Sequence, residues 1–380
     1  VVERRFCRLY ERHFMYALQD QTVRKVVAIA TEENGGKGPI PNYVPSLDLN
    51  EILATERERA AKRVDGIFEL GGLRFVEAGP KDIALTGDYD ALRQPKTLNA
   101  TAEYHVAQKV GVPAPFFSKC SSDLKLRILA EHGKNLEGKR VTKTIDGEKV
   151  EVEKAALIRI DHDGRVRAML SPSYTISDNL PLIEASIKLL NTGGATAAYL
   201  NIGDNLMNGR LLFPSKEQTL GNGDRLVPGV QIRNSEVGLS SYAWETALFR
   251  VQCWNGLISA DGSMGGILLR HTGKANQDLF SRLDEAMNSI IAAQPRLMQR
   301  VSRATEIVVD DGEEFIRNGV SRYGVPKNMI DTLIEEARVT EAKTAYDYLN
   351  VLTATAQGKG IDQRIAIERS AGKWLAGLKN

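Results

Sequence analysis

Between residues 141 and 169 apolar and charged residues alternate in two successive runs, each broken by an Asp-Gly pair, and no other feature constrains the fold as tightly. The first run, 141–154, turns at Asp146-Gly147; the second, 156–169, turns at Asp163-Gly164. Alternation with a period of two puts every second side chain on one face, and Asp-Gly accepts the positive φ of a tight turn, so both runs predict antiparallel hairpins. Asp161-His162-Asp163-Gly164 also opens like a calcium loop. Arg165, Arg167 and apolar residues stand where further ligands are needed, and a turn accounts for the same residues. Strands are predicted again at 196–202, 207–214, 227–234 and 242–254, with a short one at 266–272.

The periodicity then changes. Leu279, Leu283, Met287 and Ile290 recur at helical spacing in a long helix from about Ala275, which Pro295 is expected to kink before Leu297 and Val301 resume the stripe. Helices follow at 312–323, 326–337, 341–356 and 361–378, separated by Asp310-Asp311-Gly312 and Gly324-Val325-Pro326. Earlier, 1–30, 50–65, 98–111 and 119–132 read as helices, 66–86 as short strands, and Glu33 to Pro41 as a Gly/Pro loop. The expected class is α+β: an antiparallel β-rich core followed by a long kinked helix and a mostly helical C-terminal region. Three regions are expected: 1–97, an N-terminal helical arm, Gly/Pro loop and short strands; 98–270, the α+β core; and 271–380, the helical region. The long apolar stripe and the further helices predict a homo-oligomer.

Composition narrows the function classes. Fifty basic residues balance 48 acidic ones, so a nucleic-acid surface requires local clustering. Cys7, Cys120 and Cys253 form no CxxC pair and the five histidines are dispersed, which predicts a reducing compartment and no metal site. No apolar run reaches the ~20 residues of a membrane span. The expected location is the cytoplasm of a host cell, with no membrane partner. The first residue is Val1, and the chain is expected to begin inside a longer one. Walker, GxGxxG, HExxH and GxSxG patterns are lacking, so the expectation is a binding protein with no cofactor and no catalytic residues.

Three blocks carry a resemblance. They are Val166 to Tyr174 leading to Asp178-Asn179; Gly229 to Gly238 running on to Phe249 through Leu257; and Tyr348 to Thr353 followed by Ile367 to Gly372. In order and spacing they resemble the phage- and plasmid-like proteins grouped as domain of unknown function 932, over about Leu98 to Leu375. Trp254 departs from the pattern, where a smaller residue such as Thr is commoner. The resemblance implies a phage or plasmid gene setting and transfers no catalytic residue. The order of strands at 196–254 and a long helix is also similar to single-strand annealing proteins of the Rad recombinase-mediator type, which implies an oligomer holding single-stranded DNA for recombination. The other classes left open are a self-assembling structural or interaction protein of a phage or plasmid with no nucleic-acid role and, third, an enzyme without short motifs.

A single-strand groove needs cations for phosphates and planar groups for bases. Arg233, Arg250, Arg270, His271 and Lys274 fall on or just after the central strands, with Tyr242, Trp244 and Trp254 among them. Alternation places Tyr242, Trp244, Thr246, Leu248, Arg250, Gln252 and Trp254 on one face. These eight cationic and aromatic residues are the candidate nucleic-acid contacts. The competing reading makes the same face a second core layer under a helix, with Arg250 paired to a carboxylate.

Overall fold

The computed structural model describes residues 49–133, 141–145, 148–152, 155–251, 256–259, 266–269, 271, 279–357 and 359–378. The arm expected at 1–30 and the loop at 33–41 lie outside these residues, as do both Asp146 and Gly147. The class is α+β as expected.

The first part runs α1 (Leu49–Lys62), β1 (Val64–Glu69), β2 (Leu73–Glu77), β3 (Ile83–Gly87), β4 (Lys96–Thr97), α2 (Ala100–Lys109), α3 (Ala114–Phe117) and α4 (Ser122–His132). Next come β5 (Val141–Ile145), β6 (Glu148–Val152), β7 (Ala155–Ile160), β8 (Val166–Leu170) and α5 (Leu180–Gly193). β5–β6 and β7–β8 are the two predicted hairpins, and Gly164 has the positive φ, +81°, that its turn demands. β1 joins the far side of β7, so a strand from before residue 97 pairs with one from after it. α2 and α4 cap well: the Asn99 side chain accepts from the Ala102 N–H and that of Ser121 from the Leu124 N–H. Their apolar sides close a core with Phe68, Leu85, Phe117, Ile158 and Met169.

His105 sits in this layer, its Nδ1 3.3 Å from the Met169 N–H. Burial, with Lys109 nearby, lowers its pKa to about 4. The imidazole is therefore neutral in the fold, while the unfolded chain takes up a proton below about pH 6.5. Stability is complete above that value and falls as pH drops from there toward the folded pKa. The cost between pH 7 and pH 5 should be about 2 kcal/mol. Urea titrations at both pH values should show His105→Gln losing less than the native chain; equal losses would remove His105 as the cause.

The centre of the molecule is a seven-stranded antiparallel sheet. Its strands are β9 (Thr196–Ile202), β10 (Met207–Leu212), β11 (Gln218–Thr219), β12 (Arg225–Asn234), β13 (Tyr242–Arg250), β14 (Gly256–Ile258) and β15 (Gly266–Leu269). The order is β14-β13-β12-β10-β9; β11 adds to β12, and β15 shares the outer side of β13 with β14. β13 ends at Arg250, and Gln252 to Asn255 lie outside the described residues. Then follow α6 (Leu279–Ala304), α7 (Gly312–Tyr323), α8 (Ile330–Val339), α9 (Ala345–Ala356) and α10 (Ile361–Gly377). Pro295 lies on the exposed side of α6, which continues through it as one helix. α7 starts on an Asp311 cap and stops at Gly324, φ +77°, as the Asp-Gly and Gly-Val-Pro segments imply.

Helices cover the sheet on both sides. Leu200, Leu211, Val230, Ile232, Tyr242 and Trp244 pack against α1, α5 and the first half of α6. Leu226, Leu248 and Leu257 join Leu297 and Val301 of α6 with the C-terminal helices. On the opposite face Leu212, Val227, Ala247 and Phe249 meet Ile365 of α10. No helix among the described residues is long and apolar enough to cross a membrane.

Candidate functional site

Two clusters of charge are buried in this fold, and their compositions differ. The first forms where β1, β7 and β8 meet the loops after β8 and β12. Asp65 on β1 lies opposite Arg159 on β7. The Asp65 carboxylate accepts from Nε of Arg159 at 2.8 Å and from Nη2 at 2.7 Å. Nη2 also donates to Asp178 at 2.7 Å, and Nη1 to the Glu236 carbonyl at 2.6 Å. The Glu236 carboxylate in turn accepts from the Asn179 N–H at 2.8 Å, Arg167 at 2.6 Å and Arg63 at 3.3 Å. Asp161 is held well below the usual carboxylate range: burial opposes its charge, but hydrogen bonds from His162 and the Arg167 and Arg63 cations outweigh it. Four arginines, 59, 63, 159 and 167, thus face five carboxylates, Glu56, Asp65, Asp161, Asp178 and Glu236. The interlocked arginines tie the hairpin layer to the sheet. Tyr174 completes the corner, its ring 5.2 Å from that of His271 and its hydroxyl donating to the Ser235 carbonyl.

The second cluster lies on one face of the large sheet. Arg210, Gln231 and Glu245 stand directly opposite one another on β10, β12 and β13, so they share a face, and Arg233 follows two positions along β12. Gln231 accepts from Arg210 Nε at 3.0 Å and donates to the Gly209 carbonyl. The Arg210 guanidinium lies 4.7 Å from the Phe249 ring centre and bonds Glu368 of α10. Glu368 also accepts from the Gly256 N–H at 3.1 Å and pairs with Arg364 at 3.4 Å. One turn later Gly372 lets α10 close on β14, because a Cβ there would lie 1.9 Å from the Ile258 carbonyl oxygen.

Beside this contact Arg369 pairs with Glu245 at 2.9 Å. Burial raises the Glu245 pKa despite the pull of Arg369, Arg233 and Lys373 around it. Lys373 itself is exposed. Among the described residues, five cations, Arg210, Arg233, Arg364, Arg369 and Lys373, lie about two carboxylates, Glu245 and Glu368. The outer edge of this cluster, at Lys373, is wet. A cation-rich, exposed edge of this kind attracts an anion.

Of the eight candidate residues, Arg233 stands on this cationic face, half-buried. Tyr242 and Trp244 point the other way, into the core under α5 and α6, each 1% exposed. This corrects the expected stacking platform, since a ring without accessible surface cannot receive a base. Arg250 is paired with Asp224 at 2.5 Å, and His271 is buried against Tyr174. Trp254, Arg270 and Lys274 lie outside the described residues. Arg210, Gln231, Glu245, Glu368, Arg369 and Lys373 were not anticipated. Alternation did hold a signal for two of them, since Gln231 shares its parity with Arg233 on β12 and Arg210 lies opposite Gln231 in register.

The three sequence blocks meet at these clusters. Arg167, Tyr174, Asp178 and Asn179 of the first join Ser235 and Glu236 of the second in the acidic cluster; Gly256 of the second joins Glu368 and Gly372 of the third beside the cationic face. A family model described as a domain of unknown function (DUF932) matches residues 166–370, from the start of β8 into α10. No curated protein and no solved structure matches the chain.

Proposed function

Since the chain belongs to the family grouped as domain of unknown function 932, whose description states no activity, we propose that it binds DNA and not that it catalyses a reaction. The observation that carries this reading is the gathering of Arg233, Arg369 and Lys373 about Glu245 where α10 crosses the polar face of the sheet, with Lys373 exposed. A phosphate backbone is the polyanion such a strip suits, and single-stranded DNA presents it without requiring a groove-shaped reader. The wider reading is a phage- or plasmid-borne protein in the host cytoplasm, acting as a homo-oligomer in recombination and annealing single strands.

Lys373 tests it without touching the core, because its side chain is exposed. Removing one phosphate contact from a single-strand site lowers the salt slope by about 0.7, which is about a fivefold loss of affinity at 0.1 M salt. Fluorescence anisotropy of a labelled oligothymidylate, followed through a salt titration, should show Lys373→Ala with both changes and Lys373→Glu with a larger loss. Absence of binding by the native chain at low salt, or an unchanged affinity and slope in both variants, would sink the proposal.

A further inference from the structure

On the other side of the sheet from Arg233, the segment before β11 stands away from α6 and leaves a cleft of about 350 Å³. That volume is in the lower part of the range for small-molecule sites. Pro228 and Met298 are its buried lining, Pro295 and Lys216 its exposed rim. Gln294 also lines it, and is 3% exposed. Both Nε2 and Oε1 of Gln294 are sealed from solvent, and neither has a hydrogen-bond partner among the described residues. A buried amide with both atoms unsatisfied weakens the fold and calls for another explanation. Its neighbours are two proline rings and a thioether, which suit a flat apolar body. The Glu217 carboxylate at the rim is engaged by Arg225, while Lys216 presents an ammonium.

We propose that this cleft binds an adenine nucleotide. A primary amide has one donor and one acceptor side by side in a plane, which matches the N6 amino donor and N7 acceptor of adenine in a bidentate pair. Guanine presents two acceptors, O6 and N7, at the same edge and leaves one of the pair unmade. In the proposed complex the Gln294 amide, sealed in the free protein, rotates about its side-chain torsions into the cleft to meet the base, Pro228, Pro295 and Met298 hold the ring, and Lys216 takes the phosphate. The base comes either from a free nucleotide or from an adenine residue of a single strand. The inference does not rest on the cationic face, from which the sheet separates it.

Titration calorimetry of the full chain with AMP, GMP and adenosine tests the free nucleotide; anisotropy with oligodeoxyadenylate against oligothymidylate tests the strand. AMP should bind, with GMP weaker by about fivefold or more. Lys216→Ala should weaken AMP and leave adenosine unchanged. Gln294→Leu should abolish AMP binding, or erase any preference for oligodeoxyadenylate, and melt at or above the native temperature because it removes two unsatisfied polar atoms. Lys373→Ala should leave AMP binding intact, which separates this site from the strand-binding strip. The proposal is overturned if neither AMP nor oligodeoxyadenylate is preferred by the native chain, or if Gln294→Leu and Lys216→Ala both leave that binding as it was. Should Gln294→Leu fail to fold, the comparison of AMP with adenosine on Lys216→Ala decides alone.

Discussion

Replacing Trp244 by alanine is expected to destabilise the protein by about 3–5 kcal/mol, the range for emptying a buried aromatic site. The indole is 1% exposed, between Ile232 on β12 and Ile267 on β15 in register and beneath the α6 side of the sheet. Its N–H has no partner among the described residues. Trp244→Phe should therefore cost only about 1–2 kcal/mol, since it removes an unsatisfied donor along with part of the ring. Urea unfolding of both variants measures this directly. Single-strand affinity of the folded fraction should match the native chain in each. A variant that keeps its stability and loses affinity would return Trp244 to the role of a stacking platform.

The second large effect is expected at Arg159. Changing it to methionine keeps the length of the side chain and removes every hydrogen bond it gives. Asp65, Asp178 and the Glu236 carbonyl then lose a common cation. Breaking a buried pair from one side typically costs about 3–5 kcal/mol. The lower end is expected here, because Asp178 is 38% exposed and can recover water. Adding Asp65→Asn should recover part of the loss, so that the double variant is less destabilised than the sum of the single ones. A loss under about 1 kcal/mol in Arg159→Met would mean that solvent already screens the cluster. The single-strand test at Lys373 is insensitive to this cluster, so stability and binding are read separately.

Local order is legible in the sequence. The alternation of 156–169 around Asp163-Gly164 became β7 and β8, and Asp311 with Gly324 bounded α7 at 312 and 323. The family was legible too, in blocks that the matched span contains apart from Ala371 and Gly372, although the match begins at residue 166 and not near Leu98. The candidate site was legible only in Arg233. Parity along β13 grouped Tyr242, Trp244 and Arg250, and the structure keeps that grouping; what parity does not contain is which group meets water. That depends on what lies above each face, and β13 is covered twice, by α6 on one side and by α10 on the other.

Sequence by itself determined the element types, the hairpins, the helix ends and the family, because each depends on residues within a turn or two of one another: a period of two, a period of 3.6, a cap, a glycine at positive φ. The tertiary structure alone decided the pairing within each charge cluster and the exposure of each face. Arg159 finds Asp65, and Arg210 finds Glu368, across separations at which no spacing rule operates. Their pairing is set by which strand lies beside which and by how closely α10 approaches at Gly372, and both follow from packing the whole apolar core at once.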